Sequence, residues 1–299
     1  MKSLDVIPTG SIALDLALGL GGIPRGVITE IYGPPSSGKS TLTLHIIAQA
    51  QHKGLGCVFI DMENGLNPAY AVRCGVDDDR LLLAQPQTGN EALEMCHSLL
   101  HSQKVNLVVI DSIAALASQE EIRKGMGSSG WGYLNRLLSP HLRKIEKSCQ
   151  QSQGTLICTN QIRSRIKPGY GTPETTPGGM TVKLHAALRI ELQIKGYIQE
   201  AGNIAGVKIQ AEVNKNRLGP SKRRTTLDIV YNRGVSRERE LFSLGMKENL
   251  ITRQGSTYRF QSQYLGQGQR AVEEFLGYRR EVAQALEDAI RLSLVSKTT

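Results

Sequence analysis

Gly33-Pro34-Pro35-Ser36-Ser37-Gly38-Lys39-Ser40 is the stretch of sequence that decides the fold. It fits the pattern G-x-x-x-x-G-K-[ST], in which backbone amides of a glycine-rich loop surround phosphate groups. Residues 27–32 before it are largely β-branched and apolar, and residues 41–48 after it have a helical pattern. A strand, a glycine loop and a helix in this order bring an anion to a helix N-terminus. The stretch therefore predicts a phosphate-binding loop, with a chance glycine-serine turn as the alternative.

The polar side chains of this loop predict a site for a nucleoside triphosphate and Mg²⁺. Lys39 would contact the β- and γ-phosphates, and the Ser40 hydroxyl would help to hold the metal ion. The predicted nucleotide-binding residues here are Gly33, Pro34, Pro35, Ser36, Ser37, Gly38, Lys39, Ser40 and Thr41.

Two further apolar runs end in acidic residues. The run at residues 57–60 leads into Glu63, and the run at residues 107–110 ends at Asp111. Carboxyl ends of parallel strands meet at one edge of a sheet, where a γ-phosphate would lie. Asp111 is therefore predicted to hold Mg²⁺ through water, with Ser40 as a second metal-binding residue. The alternative is an apolar run that ends in Asp by chance. Glu63 is either a general base for the attacking water, or a solvated loop acid or helix cap.

A third apolar run, residues 155–159, ends in Asn160-Gln161. The neutral Gln161 amide could donate a hydrogen bond to the γ-phosphate. Loss of that phosphate would then affect the segment that follows Gln161 in the chain. Farther along the chain, Lys215 and Arg217 form a phosphate-neutralising site, in cis or for a neighbouring subunit, or else belong to a solvated basic hairpin.

Two glycine-rich basic segments predict contacts with single-stranded nucleic acid. Residues 123–132 contain four glycines, two cations and the only tryptophan, and residues 162–179 contain three prolines, four glycines, three cations and Tyr170. Cations interleaved with aromatic rings suit a sugar-phosphate backbone with stacked bases. The alternatives are a tryptophan folded onto the core and a simple surface excursion.

Composition sets the broad class of the protein. The 299 residues are 40% hydrophobic and 21% charged, as in a globular protein, and contain no apolar run of the roughly 20 residues that span a membrane. The formal net charge of +9 makes a polyanion a plausible partner without deciding it. Five cysteines without a C-x-x-C pair indicate a reducing, cytoplasmic location.

The pattern of the chain changes near residue 236. Before it, apolar strands alternate with helices, which predicts an α/β core with a mostly parallel central sheet. After it come a short helix, turn-rich residues 255–268 and a closing amphipathic helix at residues 271–294. We therefore expect a core at residues 1–236 and a small C-terminal α/β domain at residues 237–299.

The order of these motifs resembles the bacterial RecA recombinase family. The resemblance is carried by residues 33–40, 59–63, 109–112, 160–163, 171–179 and 266–268, and extends from about Asp5 to Leu294. It implies a RecA-type ATPase core, a C-terminal domain, ATP bound between subunits, and filaments on DNA.

The resemblance also implies roles for individual residues. Glu63 would be the catalytic carboxylate, Gln161 the γ-phosphate sensor, and Lys215 and Arg217 the pair that reaches the neighbouring subunit's ATP. Tyr70 and Tyr231 would pack on or near the adenine. The residues implied to bind DNA are Lys124, Trp131, Arg136, Arg143, Arg163, Arg165, Lys167, Tyr170, Thr176 and Gly178.

The function expected from these residues is a DNA-dependent ATPase that coats single-stranded DNA, pairs it with duplex DNA and exchanges strands. Members of the family usually carry an N-terminal helix that docks on the next subunit, whereas this sequence begins almost at Pro8-Thr9-Gly10-Ser11. That difference argues against stable self-association into a filament. The alternative is that the protein is a non-filamenting paralogue that acts as an accessory factor for another recombinase. An ATPase that acts on protein partners alone is a third possibility.

Overall fold

The computed structural model describes residues 4–116, 130–164, 174–200 and 202–296. Chain contacts divide it into two compact units. The first comprises the residues up to Gly10 together with Leu14–Val235, and the second comprises Ser11–Ala13 and the residues from Ser236 onward. The division into a core at residues 1–236 and a small C-terminal domain at residues 237–299 stays a prediction.

Strands and helices alternate through most of the first unit. The strands are β1 Val6–Ile7, β2 Ile23–Pro24, β3 Ile28–Gly33, β4 Cys57–Asp61, β5 Leu81–Ala84, β6 Leu107–Asp111, β7 Thr155–Gln161, β8 Arg163–Ser164, β9 Glu174–Thr175, β10 Leu188–Glu200, β11 Asn203–Asn216, β12 Arg224–Val230 and β13 Gly234–Val235. The helices are α1 Ile12–Leu18, α2 Lys39–His52, α3 Pro68–Arg73, α4 Gly89–His101, α5 Gly130–Ser152 and α6 Gly179–His185.

A nine-stranded sheet forms the centre of this unit, in the order β13-β12-β11-β10-β3-β7-β6-β4-β5. The six strands from β10 to β5 are parallel, and the remaining pairings are antiparallel. This mostly parallel sheet confirms the expected fold class.

The sheet is covered on both faces, which is why its middle strands are apolar throughout. Leu42 of α2 packs in one apolar cluster with Ile31 of β3, whereas Leu93 of α4 and Leu142 of α5 pack in a second cluster with Ile110 of β6. The core therefore lies in two layers, and the carboxyl ends of β3, β4, β6 and β7 share one edge.

The second unit combines three helices with a small sheet. Its helices are α7 Arg237–Lys247, α8 Gln269–Tyr278 and α9 Arg280–Ser296, and the antiparallel strands are β14 Ile251–Gln254, β15 Thr257–Phe260 and β16 Gln263–Gln267. No helix in the described parts of either unit has the length and apolar character of a membrane span.

Three predicted segments differ from the structure. Residues 255–268 are largely strand, because buried Tyr258, Phe260 and Leu265 form an apolar face that the turn residues conceal. The closing helix is two helices that meet at Arg279, whose extended ψ of 71° breaks the helical path without breaking the apolar periodicity. The glycine loop predicted to end at residue 132 is helical from Gly130.

Candidate nucleotide-binding site

The phosphate loop lies between β3 and α2, and two glycines are indispensable to its shape. Gly38 is left-handed, with φ 81°, and a Cβ there would lie 2.3 Å from Cδ1 of Ile229. A Cβ on Gly33 would lie 2.2 Å from the carbonyl oxygen of Leu192. Any larger side chain at either position would collide with the sheet, so the loop requires glycine at both.

The amine of Lys39 faces the backbone of this loop. Its Nζ donates to the carbonyl oxygens of Gly33 at 3.2 Å and Pro34 at 2.8 Å, and the residue is only 9% exposed. Burial lowers the pKa of Lys39, and the carboxylates of Asp111 and Glu63 oppose that shift. The cation therefore lies near two anions, and its hydrogen-bond partners within the described residues are neutral carbonyls. From this position it can turn to a phosphate.

Asp111, at the end of β6, is held by two hydroxyl groups. Ser40 Oγ donates to its Oδ2 at 2.6 Å, and Thr159 Oγ1 donates to its Oδ1. Burial raises the pKa of Asp111, while the two hydroxyl bonds lower it. A hydroxyl and a carboxylate oxygen in contact are the hard oxygen ligands that Mg²⁺ prefers, so these residues fit the metal.

Glu63 lies at the same edge of the sheet. It follows β4, and β6 lies between β4 and β7. Its Oε1 accepts a hydrogen bond from Ser112 Oγ at 2.5 Å and another from Gln161 Nε2 at 3.4 Å. The structure thus brings together the predicted general base and the predicted γ-phosphate sensor.

The buried Asp61 shapes the turn that presents Glu63. Its side-chain oxygens accept backbone N–H groups of Glu63 at 3.2 Å, Gly65 at 3.3 Å and Leu66 at 3.0 Å. Because the Asp61 carboxylate accepts three backbone N–H groups of the turn, it rigidifies the loop in which Glu63 lies.

The two predicted adenine-side tyrosines have different surroundings. The hydroxyl of Tyr70 lies 3.0 Å from that of Thr41 in α2, and Asn67 caps the helix that carries Tyr70 by accepting its backbone N–H at 3.0 Å. Tyr231 follows β12, is 49% exposed, and donates its backbone N–H to Ala205 at 2.8 Å.

Lys215 and Arg217 contact the C-terminal end of α6. Lys215 Nζ donates to the carbonyl oxygen of Lys183 at 2.6 Å, and Arg217 Nη2 donates to that of Leu184 at 2.7 Å. Burial lowers the pKa of Lys215, and the neighbouring Arg217 lowers it further. Both cations thus bind helix carbonyls of their own chain, where the negative end of the helix dipole favours them.

The predicted DNA-binding residues are only partly described. Arg136 and Arg143 are exposed on α5 two helical turns apart. Thr176 is buried, and a Cβ on Gly178 would lie 2.6 Å from Leu138 of α5. Trp131 in α5 and Arg163 in β8 are described in their backbone alone, and Lys124, Arg165, Lys167 and Tyr170 lie outside the described residues.

Three polar residues of the site were not predicted from the sequence: Asp61, Ser112 and Thr159. All three are polar residues at the carboxyl ends of apolar strands, as Glu63, Asp111 and Gln161 are. Their position at that edge was the available signal. A hydroxyl or carboxylate there has to find a polar partner when buried.

A glycine loop before a helix and carboxylates at neighbouring strand ends define a nucleoside triphosphatase of the phosphate-loop class. Family comparison refines this class. The sequence model of the RecA N-terminal domain matches residues 1–236, and that of the RecA C-terminal domain matches residues 239–295.

Individual relatives agree. The chain is 44% identical over 291 residues to Protein RecA of Methylococcus capsulatus, which covers 97% of this chain and 84% of the relative. It is 43% identical over 296 residues to Protein RecA of Legionella pneumophila, covering 99% and 85%. It is also 43% identical over 290 residues to Protein RecA of Acidiphilium cryptum, covering 97% and 84%. The chain therefore belongs to the RecA family, the ATP-binding, DNA-dependent ATPases of homologous recombination and DNA repair.

Proposed function

We propose that residues 33–41 bind ATP together with Mg²⁺ and that Glu63 is the general base for its hydrolysis. The observation that carries the proposal is the meeting of Glu63 and Gln161 at the edge that also holds the phosphate loop. Glu63 would orient and deprotonate the attacking water, and Gln161 would bond the γ-phosphate.

Three further residues would bind the charged groups of the nucleotide complex: Lys39 the phosphates, and Ser40 and Asp111 the Mg²⁺ ion. The Lys39 amine would exchange the carbonyls of Gly33 and Pro34 for phosphate oxygens. Ser40 and Asp111 are the residues that would hold Mg²⁺. When bound, this ion neutralises charge on the β- and γ-phosphates.

The nucleotide would act on DNA binding through residues 162–178. The N–H of Ile162 donates to Gly33 O at 3.2 Å, and Asn160 Nδ2 donates to Pro177 O at 2.9 Å. The start of the segment is thereby tied to β3, and its end is tied to β7, the strand that carries Gln161. A change at Gln161 on γ-phosphate loss would reach the segment over a short, bonded path.

Self-association would bring Lys215 and Arg217 to the ATP of a neighbouring subunit. Their present partners lie on α6, which also exposes two large apolar side chains, Met180 at 67% and Leu184 at 58%. Cations beside exposed apolar groups are typical of an interface with another copy. Five buried, free thiols suit the reducing cytoplasm as the place of action.

The proposed DNA contacts are the basic and aromatic residues of the two glycine-rich segments, with Arg136 and Arg143 of α5 beside them. Single-stranded DNA would be the first partner and homologous duplex DNA the second. Because phosphate contacts release counterions, the affinity should fall steeply with salt.

The test is fluorescence anisotropy of labelled single-stranded DNA with a slowly hydrolysed ATP analogue, with ADP and with no nucleotide. We expect high affinity with the analogue alone, and helical filaments in electron micrographs of that sample. Lys39→Ala should remove the nucleotide response, while Lys53→Ala, which changes an exposed cation bound to Asp5, should not. Equal DNA affinity in all nucleotide states would overturn the proposal.

A further inference from the structure

Thr159 presents a hydroxyl to the acid that would hold the metal ion. Thr159 is 0% exposed, and its Oγ1 donates to Asp111 Oδ1. Oδ2 of the same carboxylate accepts from Oγ of the exposed Ser40 at 2.6 Å. The two oxygens of Asp111 thus have separate partners, one deep in the sheet and one at the nucleotide edge.

The backbone fixes this arrangement. Asp111 ends β6, and β7 runs beside it with Cys158 in register with Ile110, so that Thr159 lies level with the acid. Two residues after Asp111, the backbone N–H of Ile113 donates to the carbonyl oxygen of Thr159 at 3.0 Å. Thr159 therefore has little freedom to move away from Asp111.

We propose that Thr159 is a positioning residue for the metal site: its hydroxyl anchors Oδ1 of Asp111, so that Oδ2 stays directed at Ser40 and the metal. The inference rests on the proposed assignment of Ser40 and Asp111 to Mg²⁺. Without the anchor, the carboxylate can rotate about its terminal bond, and the buried Oδ1 has no donor. Partners of metal ligands commonly control metal affinity in this way.

The same strand supplies a matched control. Thr155 of β7 is also 0% exposed, but its Oγ1 has no hydrogen-bond partner in the described structure. Thr155→Val makes the same chemical change as Thr159→Val but breaks no hydrogen bond among the described residues. A difference between the two variants isolates the bond to Asp111.

The experiment measures binding of a fluorescent ATP analogue as Mg²⁺ is titrated, with Mn²⁺ electron paramagnetic resonance as a direct reading of metal affinity. For Thr159→Val we expect the half-saturating metal concentration to rise roughly tenfold. Analogue binding in EDTA and the melting temperature without metal should change little. Thr159→Ser, which keeps the hydroxyl, and Thr155→Val should both titrate like the unmodified protein.

An unchanged metal titration in folded Thr159→Val, or an equal rise in Thr155→Val, would overturn the inference. Thr159→Ala, which also lacks the hydroxyl, serves if the valine variant does not fold. Failure of the proposed function looks different, because the unmodified protein would then bind no analogue at any metal concentration.

Discussion

Gln161 donates its side-chain amide to the Glu63 carboxylate at 3.4 Å, although 98 positions separate the two residues in the chain. They stand on β7 and just beyond β4, with β6 between them, and Ser112 after β6 donates to the same oxygen of Glu63. Three successive strand ends therefore meet at one carboxylate. A group that takes Gln161 away from Glu63, such as a γ-phosphate, would remove one of these two hydrogen bonds and leave the one from Ser112.

Glu63→Gln should separate ATP binding from ATP hydrolysis. The amide keeps an oxygen for Ser112 and Gln161 but cannot take a proton from water. We expect DNA-stimulated hydrolysis to fall by about 100-fold or more, the typical loss for a general base, with ATP-dependent DNA affinity retained. Phosphate release and anisotropy on the same sample measure the two quantities.

Glu94→Gln is the matched control for this variant, since Glu94 is an exposed acid on α4. It should hydrolyse ATP at the normal rate. If Glu63→Gln hydrolysed ATP equally well, Glu63 would be a loop acid and not the base.

Mixing two inactive variants tests whether Lys215 and Arg217 act on a neighbouring subunit. Lys215→Ala/Arg217→Ala keeps Glu63, and Glu63→Gln keeps the two cations. At a head-to-tail interface, a random equal mixture places an intact Glu63 against intact cations at about a quarter of the contacts. We expect the mixture to recover roughly that fraction of the hydrolysis rate.

Recovery in a mixture cannot arise if the cations serve the ATP of their own chain. In that case, each subunit of the mixture stays inactive, whatever its neighbour. Because Lys215 and Arg217 also bind Lys183 and Leu184 of α6, the melting temperature of the double variant has to be measured first.

The phosphate loop, the acids and the parallel sheet could be predicted because they depend on local patterns. A few neighbouring residues are enough to recognise the glycines at residues 33 and 38. The same holds for the apolar runs that end in Asp111 or Gln161. The bond from Thr159 to Asp111 and that from Asn160 to Pro177 could not, since strand order decides them. The strands at residues 257–267 were missed for a different reason, because glycines and polar residues outnumber the three buried apolar side chains there.

The stability of the first unit should fall below neutral pH because of His45. Its Nε2 accepts the backbone N–H of Val235 at 2.9 Å, and burial lowers its pKa to about 4. The unfolded chain, with a histidine pKa near 6.5, then binds more protons than the folded chain between pH 6.5 and 4. We expect this group to cost about 2 kcal/mol of unfolding free energy between pH 6.5 and 5.

Hydrogen exchange of the Val235 amide gives a local reading of this effect. Protection should drop as the pH falls from 6.5 to 5, after correction for intrinsic exchange. His45→Gln, which keeps an acceptor without a titrating group, should show no such drop. The same pH dependence in both proteins would contradict the assignment to His45.

Glu240 should act on the second unit in the opposite direction. Its carboxylate accepts Ser11 Oγ at 2.5 Å and the Ile12 N–H at 2.7 Å, and burial raises its pKa to about 7 while these bonds oppose the shift. Between pH 4.5 and 7 the folded chain holds the extra proton, so stability is highest at the acidic end and falls as the pH rises to 7. Lowering the pH from 7 to 5 should therefore add about 2 kcal/mol of unfolding free energy from this group. Hydrogen-exchange protection of the Ile12 amide should rise as the pH falls from 7 to 5, and Glu240→Gln should abolish this rise. If the protection of Ile12 instead fell with the pH, as that of Val235 does, Glu240 would stay ionised.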